Sequence, residues 1–140
     1  RPQPGHRVLV VGAGIIGLCV LQVLRALNIP CKIYVVARHA FQQELALSFG
    51  AHRVVDDTDD PKATARLAEE LHARQHASRF VKPFFVGGFD VTYDCVGSAR
   101  TIQKCTYWAN QKGRVVLVGV NPPERFEGSL PGFPVCGLMW

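Results

Sequence analysis

The chain has 140 residues, 48% hydrophobic and 19% charged, with a formal net charge of +5, which supplies one core and leaves no room for a second, catalytic domain. Its longest apolar stretches, around residues 8–11 and 15–24, are broken by Gly12, Gly14 and Gly17 and fall short of the roughly 20 apolar residues that span a bilayer, so a soluble protein with no membrane partner is expected. The basic residues are scattered singly, which argues against nucleic acid as a partner, and the odd set Cys19, Cys31, Cys95, Cys105 and Cys136, lacking any C-x-x-C pair, suits a reducing cytoplasm.

In chain order, residues 1–6 carry no secretory signal pattern and read as an incoming linker. Residues 7–11 form a β-rich run, followed directly by G-A-G-I-I-G and an apolar helical pattern through Leu27. Asn28-Ile29-Pro30 stops that helix. K-I-Y-V-V-A at residues 32–37 is the near-continuous apolar strand that a parallel sheet buries on both faces. Residues 41–49 return to helical spacing and stop at Gly50, and residues 53–55 give a short third strand.

Asp60 before Pro61 places an N-cap and a first-turn proline at the start of a helix expected to run through about His76. Residues 77–88 read as a packed loop, since their apolar positions are broken by Pro83 and closed by Gly87-Gly88. A strand follows at 90–96, a helix at 99–110 and a last clear strand at 114–120. From Asn121 onward four prolines and three glycines predict an irregular tail, a truncated final unit or a partial sixth strand near 135–140. The alternation predicts an α/β fold: a doubly wound parallel sheet of order 3-2-1-4-5 over residues 7–120.

The glycine turn carries the chemistry. A G-x-G-x-x-G that leaves a strand, opens a helix and sits in a βαβ unit of roughly thirty residues is the context a dinucleotide site requires. Gly12 permits the sharp turn, Gly14 leaves room for a pyrophosphate against the backbone, and Gly17 lets the helix pack close. Ala13, Ile15 and Ile16 lie between them, where phosphate would meet helix N–H groups. Two other readings stay open: glycines that merely allow a tight crossover, and an S-adenosylmethionine site.

About twenty residues after the last glycine, an acid should end the second strand to hold the adenosine ribose of NAD. The position is Ala37, followed by Arg38 and His39. The carboxylate that would repel a 2′-phosphate is gone, and a guanidinium able to grip one is present. NADP is therefore expected over NAD. His72 and His76, spaced i,i+4 on the expected helix, lack a third ligand, so no metal site is expected.

Four segments carry a family resemblance: P-G-H-R-V-L-V-V-G-A-G-I-I-G, F-G-A at residues 49–51, D-V-T-Y-D-C-V-G at 90–97 and G-R-V-V-L-V-G-V at 113–120. Over roughly residues 4–120 the chain resembles the cofactor-binding domain of the medium-chain dehydrogenase/reductases, the zinc-dependent alcohol and polyol dehydrogenase superfamily. The resemblance implies pyrophosphate at Gly12 to Gly17 and adenosine ribose at Ala37, Arg38 and His39. It also implies the edge of the adenosine and nicotinamide ribose region at Cys95, Val96 and Gly97, and the nicotinamide carboxamide at Val118, Gly119 and Val120.

In such enzymes a separate catalytic domain supplies zinc and the proton relay, and Arg7 stands after Gly5-His6 where the zinc motif needs Glu. No catalytic residue and no zinc are therefore expected in this chain, which would not catalyse alone. The sheet edge after the last strand would invite pairing with a second copy. The expectation is the NADP-preferring nucleotide-binding part of an alcohol dehydrogenase-like oxidoreductase. The alternatives are a stand-alone NAD(P) sensor and a truncated remnant.

Overall fold

Side-chain alternation decides the architecture. Along the first strand, β1 (Arg7–Val11), Val8 and Val10 pack into one core cluster and Leu9 and Val11 into another, all four buried. A strand covered on both faces belongs inside a parallel sheet. The computed structural model describes residues 1–56, 61–76 and 84–120.

After β1 come α1 (Ile15–Ala26), β2 (Lys32–Ala37), α2 (Ala40–Ser48), β3 (Arg53–Asp56) and α3 (Pro61–Glu70). The chain continues through β4 (Arg74–His76), β5 (Phe84–Val86), β6 (Phe89–Asp94), α4 (Ala99–Trp108) and β7 (Ala109–Leu117). The main sheet is parallel throughout, ordered β3-β2-β1-β6-β7. Counting only its own strands, that is the expected 3-2-1-4-5.

One face buries Val8, Val10, Ile33, Val35 and Val91 beneath Leu21 and Leu24 of α1 and Ala46 of α2. The other buries Leu9, Val11, Val36 and Phe89 beneath Leu67 of α3 and Cys105 and Trp108 of α4. Each large side chain so buried stabilises the fold by about 1.5–3 kcal/mol relative to exposure. Tyr34 ties the second face together, meeting the Phe89 ring edge-on at 5.2 Å and donating its hydroxyl to Glu70 Oε1 at 3.1 Å. Among the described residues no helix is long and apolar enough to cross a membrane.

Helix ends explain where the structure departs from expectation. At the end of α2, Gly50 lies at φ 91, and the Gly50 and Ala51 N–H groups return to Leu47 and Ala46 carbonyls at 2.9 Å. That is the glycine-closed stop the sequence predicts. The helix expected to reach His76 instead stops at Glu70, because His72 takes the left-handed position at φ 51. Its N–H bonds the Glu69 carbonyl and that of Ala73 bonds the Ala68 carbonyl, the same closure without a glycine to announce it. His72 is therefore in a turn and His76 in β4, not one turn apart on a helix.

Residues 84–86, expected within a loop, form β5 and pair antiparallel with β4. Residues 77–83, the Asp60 cap and the tail 121–140 lie outside the described residues. The helix expected to end at Asn110 stops at Trp108, and β7 runs from Ala109 to Leu117 rather than over 114–120. The early start comes from an irregularity, with Phe89 opposite Ala109 and Val91 opposite Arg114. Lys112, at φ 62, carries the extra residues. The Asn110 side chain pins them, accepting the Gly87 N–H at 3.0 Å and donating to Asp90 at 3.4 Å.

Candidate functional site

The sheet order reverses beside β1, so the carboxyl ends of β1 and β6 flank the crevice in which open α/β sheets hold ligands. The residues singled out from the sequence all lie along this edge. Gly12 to Gly17 leave β1, Ala37 to His39 end β2, Cys95 to Gly97 leave β6, and Val118 to Val120 leave β7.

Each glycine of the first turn has its own physical reason. Gly12 lies at φ 98 and donates its N–H to the Val36 carbonyl at 3.0 Å. A Cβ on Gly17 would stand 1.8 Å from the Gly12 carbonyl oxygen, so α1 can approach the turn only through a glycine. Gly14 is the opposite case: a Cβ there would meet nothing within 4 Å. It is the N-cap of α1, with no side chain capping the helix and no acidic residue in the first turn. Ala13 is buried beneath the turn, whereas Ile15 and Ile16 stand exposed. The positive end of a twelve-residue helix is thus presented to solvent behind an open flank, which suits an anion.

The other helix beginning beside the crevice is built differently. Ser98 Oγ accepts the Thr101 N–H at 3.2 Å, and Thr101 Oγ1 accepts the Ser98 N–H at 3.1 Å. This reciprocal capping box satisfies the start of α4 from within.

At the end of β2, Ala37 is buried and its carbonyl accepts a hydrogen bond from Gln43 Nε2 at 3.1 Å. Arg38 and His39 are exposed, and His39 is the N-cap of α2 without a side-chain cap. The His39 ring stacks on Phe41 at 5.9 Å.

Asp94 is the residue that sequence reasoning passed over. It is fully buried, yet its carboxylate accepts the Val96 N–H at 3.1 Å and the Gly97 N–H at 3.1 and 3.2 Å. Its backbone carbonyl accepts the N–H groups of Val118 at 2.9 Å and Gly119 at 2.8 Å. The available signal was a charged residue closing an apolar strand with a glycine three positions on. Beside it, burial and the neighbouring Asp94 charge push the Cys95 thiol up to about 12, so it is held neutral. Burial likewise raises Cys105.

Adjoining the glycine turn, an apolar groove of about 520 Å³ runs along α1, lined by Pro2, Ile15, Ile16, Cys19, Val23 and Tyr93 among others. Among the described residues no three His, Cys, Asp or Glu side chains gather as a metal-holding group.

A parallel sheet of this order, with a glycine turn feeding an uncapped helix at the reversal point, defines a Rossmann-type nucleotide-binding domain. The family model described as zinc-binding dehydrogenase matches residues 16–137. Human sorbitol dehydrogenase is 32% identical over 117 residues, covering 83% of this chain and 29% of that protein. Among solved structures, the alcohol dehydrogenase of Aeropyrum pernix superposes with a TM-score of 0.68 at 26% identity, over 98% of this chain and 33% of its own. A zinc-binding dehydrogenase of Sinorhizobium meliloti 1021, bound to NADP, has a TM-score of 0.64 at 31% identity, over 86% and 32%. The chain belongs to the zinc-binding dehydrogenase family, within the medium-chain dehydrogenase/reductases, and forms its cofactor-binding domain. It spans about a third of the length of these relatives.

Proposed function

We propose that this domain binds a nicotinamide dinucleotide, with NADP preferred over NAD, as part of an alcohol dehydrogenase-like oxidoreductase. The observation that carries the reading is the bare N-terminus of α1 behind Gly14, whose open flank leaves room for a pyrophosphate against the backbone. In this arrangement the turn from Gly12 to Gly17 takes the pyrophosphate. Ala37, Arg38 and His39 take the adenosine ribose, Cys95 to Gly97 the edge of the adenosine and nicotinamide ribose region, and Val118 to Val120 the carboxamide.

When bound, the nicotinamide supplies hydride transfer. The domain's own residues bind and orient it; the catalytic acid, base and zinc belong to a separate catalytic domain. β7 pairs only with β6 among the described residues, which leaves an edge for a second copy.

The NADP preference rests on the absence of an acid at Ala37-Arg38-His39 and on the presence of Arg38, an exposed residue, there. Titration of the chain and of Arg38→Ala with NADP+ and NAD+ tests it. Arg38→Ala should weaken NADP+ by about tenfold, the value of one charge-assisted contact, with NAD+ little changed. Equal loss for both, or tighter binding of NAD+ by the unaltered chain, would overturn the preference.

A further inference from the structure

Asp94 has no part in the reading so far, yet a fully buried carboxylate in a largely apolar sheet is costly unless its oxygens are satisfied. They are satisfied by the backbone of the crevice wall. The side chain takes the N–H groups of Val96 and Gly97, the backbone carbonyl takes those of Val118 and Gly119, and one residue thereby gathers the loops that leave β6 and β7.

The consequences for shape follow from the contacts. Val96 is set so that its Cγ2 lies 2.6 Å from where a Cβ on Gly12 would be, which lays it over the glycine turn. Gly97, at φ 80, sits so close to the next loop that a Cβ on it would stand 2.7 Å from the Gly119 carbonyl carbon. A Cβ on Gly119 would in turn meet the Gly97 nitrogen at 2.4 Å. The two loops therefore fit together in one arrangement, and the Asp94 hydrogen bonds select it.

Resting on the dinucleotide reading above, we propose that Asp94 is a positioning residue: it fixes the spacing between the glycine turn and the β6 and β7 loops, and so places the nicotinamide half of the dinucleotide relative to the phosphates. It touches no ligand itself. The adenosine half, held mainly by the glycine turn and the end of β2, meets the β6 loop only at its edge and depends on Asp94 far less.

The test is calorimetric titration of the chain and of Asp94→Asn with NADP+ and with 2′,5′-ADP, well below the unfolding temperature of either. Asparagine keeps the volume but replaces one acceptor oxygen with a donor that opposes the backbone N–H groups. NADP+ affinity should fall by about tenfold while that for 2′,5′-ADP changes by less than about twofold. Parallel losses for both ligands, or none for either, would overturn the role. Failure of the unaltered chain to bind both would instead overturn the dinucleotide reading.

Should Asp94→Asn not fold, amide resonances of the unaltered chain decide. Those of Val118 and Gly119, bonded to the Asp94 carbonyl, should move with NADP+ and stay in place with 2′,5′-ADP. Identical responses to the two ligands would contradict the assignment.

Discussion

Two helices begin beside the same crevice, and they are finished in opposite ways. The start of α4 is closed by its own residues, Ser98 and Thr101 exchanging hydrogen bonds with each other's backbone. The start of α1 has a glycine at its N-cap, no capping side chain and no acidic residue in its first turn. With glycine at the N-cap, a helix end forgoes about a few tenths of a kcal/mol relative to an ordinary side-chain cap. On the proposed reading, the start of α1 takes the ligand's anion, whereas the start of α4 serves the fold.

The largest effect should come from removing the close approach that lets α1 begin where it does. Gly17→Ala drives a Cβ into the Gly12 carbonyl, and a backbone clash of this kind should cost about 3 kcal/mol or more in urea unfolding. Next comes closing the bare end artificially. Gly14→Asp meets no steric obstacle and caps α1, so stability should hold or rise by a few tenths of a kcal/mol, while the added carboxylate weakens NADP+ by about 30-fold.

The converse change, Ser98→Ala, should lower stability by about 1 kcal/mol and leave NADP+ affinity within about twofold. An NADP+ loss in Ser98→Ala as large as in Gly14→Asp would erase the distinction between the two ends.

The smallest effect concerns the thiols behind the crevice. Cys95 ionises at about 12 in the folded chain against an ordinary 9.0. The folded state therefore resists losing this proton, and the stability it contributes is intact below pH 9 and lost as pH rises toward 12. Thermal unfolding followed from pH 8 to 10.5 should show a decline that is shallower in Cys95→Ala. By the same physics, iodoacetamide at neutral pH should label exposed Cys19 well before Cys95, as peptide mass spectrometry would show.

Strand order was legible from the sequence because it follows from local signals that agree: a strand, a glycine turn, an apolar helix and a strand buried on both faces. The glycines were legible for the same reason, each answering a steric demand within a few residues of itself. Features that depended on partners distant in sequence were not. The stop of α3 hides in His72, which adopts a conformation that glycine usually announces. The early start of β7 depends on Asn110 reaching Gly87 and Asp90. The role of Asp94 was not legible because its carbonyl meets the N–H groups of residues 118–119, more than twenty positions away in the chain.

The contrast between the two helix ends is tested most directly by following backbone amide resonances of the chain during titration with NADP+. The account predicts that Gly14, Ile15 and Ile16 move strongly and saturably while Arg100 and Thr101, in the first turn of α4, move little. Undisturbed resonances at Gly14 to Gly17, or the larger response at α4, would contradict it.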